Sequence, residues 1–194
     1  TQSQQTFSVP VPFSYGYFGT SYNSLSISTD GWVAPGNTVS TSYDNHALPY
    51  PTDLVAGMIA VLWNDLWYFF GDTGDISYYY DAAGDRFIVE WHAVTDWGTG
   101  TRPNTFQVQL LNPATYQTPT GDAEWVMLYQ SLTMHPTAAL GATIGYETFD
   151  ELFGATYYHN NVEPPTSAPL ENGRAIRLTT APPTITDSPE VVEI

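Results

Sequence analysis

Apolar and polar residues alternate along much of this chain. In Arg86-Phe87-Ile88-Val89-Glu90-Trp91-His92, the residues Phe87, Val89 and Trp91 share one face, and Arg86, Glu90 and His92 share the other. In Thr105-Phe106-Gln107-Val108-Gln109-Leu110, the residues Phe106, Val108 and Leu110 face in while Gln107 and Gln109 face out. A period of two marks half-buried strands. The same reading predicts strands over Leu25–Thr29, Gly31–Ala34, Met58–Trp63, Asp75–Tyr80, Trp125–Gln130, Ala142–Glu147, Ala155–Tyr158 and Ala175–Thr179. Turn residues separate them. Asp30-Gly31 is a hairpin signal between Ser26-Ile27-Ser28 and Trp32-Val33. Asp81-Ala82-Ala83-Gly84-Asp85 joins two strong strands, and Thr118-Pro119-Thr120-Gly121-Asp122 precedes another. One short helix is expected around Thr148–Phe153, where Asp150 and Glu151 would sit near its first turn. Many short strands divided by Gly, Pro and Asp turns predict an all-β fold with little helix, a single antiparallel β-sandwich of jelly-roll-like character.

The two ends depart from this pattern. Residues 1–6 are polar, and Pro182–Ile194 carries several prolines followed by the alternating Glu190-Val191-Val192-Glu193-Ile194. The expected organisation is a sandwich over residues 1–181 and an extended tail or donor strand over 182–194. The chain opens on Thr1 rather than Met, which reads as a processed N-terminus.

Composition sharpens the picture. The chain has 194 residues, enough for one well-buried domain. Fourteen Tyr and six Trp suit a pleated, half-buried surface. Twenty Asp and Glu stand against four Arg and no Lys, a net charge of −16. Such a charge repels phosphate backbones and anionic membranes, so nucleic acid is not an expected partner. It favours divalent cations, with calcium as the expected ion if clustered carboxylates are neutralised. There is no Cys, hence no disulfide and no thiolate chemistry. The longest apolar stretch, Val55 to Trp63, is strand-length, so a membrane-embedded chain is not expected.

One stretch is more distinctive. Pro12-Phe13-Ser14-Tyr15-Gly16-Tyr17, running on to Leu25-Ser26-Ile27-Ser28-Thr29-Asp30-Gly31-Trp32, resembles the opening of nidogen-like domains and of related β-sandwich modules in secreted bacterial proteins. Met58–Leu66, Gly74–Tyr80, Phe87–Val94, Thr105–Leu111 and Gly173–Arg177 resemble later segments of the same family, in order. Asp30 stands where the family usually has Asn, and Val61 where it usually has Pro. The resemblance implies a β-sandwich in a secreted, extracellular or cell-surface setting, and it implies no reaction.

Candidate chemistry is correspondingly non-catalytic. No nucleophile elbow, zinc-protease helix or phosphate loop occurs. The four His are scattered, and no spacing singles out a carboxylate pair such as Asp65 and Glu90. The densest group of oxygen ligands for calcium is Asn64, Asp65, Asp72 and Asp75. The run Trp67-Tyr68-Phe69-Phe70, and Trp97 between polar and Gly residues, are candidates for stacking on a glycan or anchoring a protein. Ile185, Val191, Val192 and Ile194 at one end, and Phe7 and Val9 at the other, are candidates for strand addition to a neighbouring copy. Two functions follow from the sequence. One is a structural subunit that assembles with copies of itself or neighbouring secreted proteins into a surface fibre or layer. The other is a glycan- or protein-binding adhesin module.

Overall fold

A computed structural model of the chain describes residues 4–51, 55–67, 74–97, 103–133 and 141–182. Among these described residues, twelve strands make two antiparallel sheets: β1 (Thr6–Tyr17), β2 (Thr20–Ser28), β3 (Trp32–Pro35), β4 (Ile59–Trp63), β5 (Leu66–Trp67), β6 (Asp75–Asp81), β7 (Arg86–Asp96), β8 (Asn104–Leu111), β9 (Trp125–Ser131), β10 (Thr143–Glu147), β11 (Gly154–His159) and β12 (Ala175–Leu178). The first sheet runs β1-β2-β3-β4-β10-β11. The second runs β12-β9-β8-β7-β5, with β6 also paired to β7. The chain therefore builds most of one sheet, crosses to build most of the other, and returns to finish each.

The alternating strands put their apolar faces between the sheets. Val9, Val11, Tyr15 and Tyr17 of β1 meet Trp91 of β7, Phe106 of β8 and Trp125 and Met127 of β9 in one buried core. Two buried donors in this core reach across it to backbone carbonyls of the opposite sheet. The Trp91 indole N–H donates to the Ser28 carbonyl (2.9 Å), and the Tyr129 hydroxyl donates to the Val61 carbonyl (2.7 Å). Each such bond ties one sheet to the other, and a buried donor left unpaired would cost about 1–3 kcal/mol.

β3 and β4 are buried on both faces, which the continuous apolar run Met58–Trp63 requires. Their outer face is covered by the segment between them. Leu48 and Val55 pack there with Trp32, Met58 and Trp63 in a second core cluster. Both indole N–H groups of that cluster, on Trp32 and Trp63, donate to the Ser42 carbonyl (2.8 and 3.2 Å).

Two expectations change. Thr148–Phe153 is not a helix but the β10–β11 turn. The Thr148 N–H donates to the Phe153 carbonyl (2.8 Å), a rung that closes the hairpin and leaves too few residues for helical bonding. Val9 faces the core of its own sandwich, because β1 is zipped to β2 from Thr6 onward. Phe7 in the same strand remains exposed.

Candidate functional site

The β2–β3 hairpin turns at Asp30-Gly31, and its tight approach to β4 fixes one corner of the sandwich. Gly31 has φ +79°, and its carbonyl accepts from the N–H groups of both Val61 and Leu62 (3.0 and 2.9 Å). Asp30 is wholly buried. Its carboxylate accepts from the Leu66 N–H (3.2 Å) and the Thr29 hydroxyl (3.3 Å). The Asp30 carbonyl accepts from the Asn64 N–H (3.2 Å). Both ends of the short Asn64-Asp65 link between β4 and β5 are thus held by one aspartate.

That link delivers two tryptophans to the same place. β5 pairs with the far end of β7, Leu66 opposite Asp96 and Trp67 opposite Thr95. The Trp97 N–H donates to the Asp65 carbonyl (2.8 Å), and the Thr95 hydroxyl donates to the Trp67 carbonyl (3.3 Å). The Trp67 and Trp97 rings come to 6.3 Å between centroids, tilted by 44°. Trp97 is 59% exposed, whereas Trp32, Trp63, Trp91 and Trp125 are fully buried. An exposed indole beside a half-buried one forms an apolar platform open to solvent.

Oxygen and amide groups of the neighbouring residues pair with one another. The Asn64 side-chain amide donates to Asp96 (3.2 Å), and the Gln4 amide donates to Asp65 (3.4 Å). Burial raises the Asp30 carboxyl to about 7, the Leu66 N–H opposes that rise, and the nearby Asp65 charge adds to it. Burial also raises Asp65, with the Gln4 amide opposing.

Of the residues singled out from the sequence, Asn64, Asp65, Trp67 and Trp97 come together here. Asp75 does not. It lies exposed at the start of β6, opposite His92, and its carboxylate accepts from the Ile76 N–H (2.8 Å). Among the described residues no group of three His, Cys, Asp or Glu is placed to hold a metal ion. Tyr68, Phe69, Phe70, Asp72, Ile185, Val191, Val192 and Ile194 lie outside the described residues. Sequence reasoning missed Asp30 and Asp96 as parts of the corner. Asp30 looked like turn chemistry, and nothing in the string Thr29-Asp30-Gly31 signals that its carboxyl is buried.

A family model described as NIDO related matches residues 1–184. No curated protein and no solved structure matches the chain. Among the described residues no helix is long and apolar enough to cross a membrane.

Proposed function

The chain belongs to the NIDO-related family, nearly its whole length being matched, and on that premise we propose that it is a non-catalytic extracellular module that binds neutral saccharide at the Trp67–Trp97 corner. The observation that carries this reading is the paired indoles, thirty positions apart in sequence, beside side-chain carboxyls and amides. The π face of an indole is electron-rich and attracts the weakly positive C–H face of a sugar ring. The partly exposed Gln4 amide and Asp65 carboxyl, in the segments beside the indoles, supply directional partners for hydroxyls. A chain of net charge −16 disfavours sulfated or uronic glycans, which leaves neutral ones. Trp97→Ala should lower affinity for a bound neutral oligosaccharide by at least about tenfold. It should leave unfolding within about 0.5 kcal/mol of the parent, because the lost side chain is mostly in solvent. Glycan-array binding and urea unfolding on the same preparations check both. Undiminished binding by Trp97→Ala would remove the corner from the account.

A second reading, a structural subunit joining copies through terminal strands, is favoured by one observation. β6 is a seven-residue edge strand with no proline, and Tyr78 and Tyr79 on it are exposed. Among the described residues it pairs only with β7. By contrast β1, one edge of the other sheet, carries Pro10 and Pro12 and a register break between Pro10 and Tyr15, which guard an edge against strand addition. On this reading the alternating segment with Ile185, Val191, Val192 and Ile194 adds to β6 of a neighbour. Deleting residues 182–194 should then leave a folded monomer and abolish large assemblies in light scattering. Assemblies that survive the deletion would contradict it.

A further inference from the structure

The end of β2 away from Asp30 carries a different surface. Phe18 and Gly19 join Tyr17 to Thr20 in a two-residue hairpin turn, with φ of 46° and 76°. Turns with two positive φ values favour Asn-Gly or Asp-Gly. A phenylalanine held there costs on the order of 1 kcal/mol or more. The ring is not placed there to fill the core, since Phe18 is 44% exposed. It stacks on Tyr146 (5.8 Å, 20°) and meets Tyr17 edge-on (4.8 Å, 85°).

The β10–β11 turn adjoins it and repeats the arrangement. Glu151 also has positive φ (56°), and beside it Leu152 and Phe153 are 69% and 68% exposed. Phe149 of the same turn is exposed on one side and stacked on Tyr22 on the other (5.5 Å, 11°). The two turns are tied through the Tyr17 hydroxyl, which donates to the Glu147 carbonyl (2.7 Å). Single exposed apolar residues are ordinary on protein surfaces. Here Phe18, Phe149, Leu152 and Phe153 project from two neighbouring turns, each with a non-glycine residue on left-handed backbone.

The charge around this patch selects its partner. Asp150 and Glu151 sit side by side in the turn, between Phe149 and Leu152-Phe153. Hydrogen bonds from the Thr148 hydroxyl and the Leu152 N–H hold the Asp150 carboxyl below the usual carboxylate range, so it stays charged. A second copy has little to answer with. The chain has no Lys and four Arg, and Arg86, Arg174 and Arg177 are in ion pairs with Asp81, Glu171 and Glu124. Arg102 lies outside the described residues. The geometry points to this end of the sandwich as a docking surface for a basic, amphipathic polypeptide segment of another protein, one whose apolar side chains alternate with Lys or Arg. Apolar contacts supply the affinity there, and the carboxylates select against acidic partners.

The test uses three synthetic peptides of equal length, alternating Leu–Lys, Ser–Lys and Leu–Glu, titrated into the full chain by calorimetry. The Leu–Lys peptide should bind at least about tenfold more tightly than Ser–Lys, and Leu–Glu should not bind. The double variant L152S/F153S, which changes only exposed side chains, should remove that preference, while Trp97→Ala should keep it. Equal binding of Leu–Lys and Ser–Lys would overturn the proposal, since it would show only attraction to an acidic chain. So would a preference that survives L152S/F153S. Self-association of the parent chain abolished by L152S/F153S would assign the patch to a second copy instead.

Discussion

Gly31→Ala should be the most damaging Gly→Ala change among the described glycines, costing on the order of 4 kcal/mol or more of stability. Two terms add. The backbone at Gly31 has φ +79°, where an L side chain costs about 1–2 kcal/mol. An added Cβ would also lie 2.1 Å from the Leu62 carbonyl oxygen and 2.8 Å from its carbon. Those are backbone atoms of β4, the strand buried on both faces, so no rotamer change relieves the overlap. Moving the hairpin would break the two bonds to the Gly31 carbonyl and displace Asp30 from Leu66. Gly19→Ala isolates the first term. Gly19 has φ +76°, and an added Cβ there meets nothing within 4 Å. Urea unfolding of the two variants should therefore differ by several kcal/mol. Equal losses would mean that the close approach of hairpin and β4 is absent.

The second large effect is a dependence of stability on pH between about 4 and 7. The Asp30 carboxyl rises from an ordinary 3.8 to about 7 in the fold because it is buried. The folded chain therefore keeps a proton that the unfolded chain releases over that interval. Stability from this group is fully present below pH 3.8 and is lost as pH rises through about 7. At 1.36 kcal/mol per unit, a shift of about three units amounts to roughly 4 kcal/mol between pH 3.8 and about 7, of which roughly two thirds falls above pH 5. Other groups act with the opposite sign. Asp81, Asp85 and Asp150 are lowered by hydrogen bonds, and Glu124 is lowered by Arg177 and Thr179 against the effect of its burial. Their contributions are lost only as pH falls into the carboxylate range, below the Asp30 window. His159 is lowered, by burial and by the nearby His46, so its contribution is lost as pH falls below 6.5 and partly masks the trend. Asp30→Asn separates these. It keeps an oxygen for the Leu66 N–H and cannot ionise. The parent should lose stability from pH 5 to pH 8, and Asp30→Asn should lose much less. Parallel pH profiles for the two proteins would place the titration elsewhere.

Much of the architecture was legible because it rests on local pattern. β7 and β8 alternate cleanly, and their alternating faces are the ones the core uses. Asp30-Gly31 and Asp81–Asp85 mark turns whose residues are chosen by backbone geometry. β4 read as a strand from its apolar run, but its cover by Leu48 and Val55 could not be read, because that segment has no periodicity of its own. The described part of β5, Leu66–Trp67, is held by the ladder that the end of β7 offers it. The candidate site failed to appear as a unit for the same reason. Trp67 and Trp97 were each visible as aromatics beside a loop, yet their meeting depends on the register of β5 against β7. The turn at Thr148–Phe153 was misread because Asp150 and Glu151 resemble a helix start. The acidic pair instead lies between exposed apolar residues, Phe149 on one side and Leu152-Phe153 on the other, in a hairpin turn.

The most direct test of the central claim is intrinsic tryptophan fluorescence of the purified chain during titration with a panel of neutral oligosaccharides. Trp32, Trp63, Trp91 and Trp125 are fully buried, so a ligand that leaves the fold intact reports through Trp67 and Trp97. A saturable blue shift with at least one neutral saccharide, absent in Trp97→Ala, is the predicted result. An unchanged spectrum across the panel, or a shift that Trp97→Ala retains in full, would contradict a saccharide site at this corner.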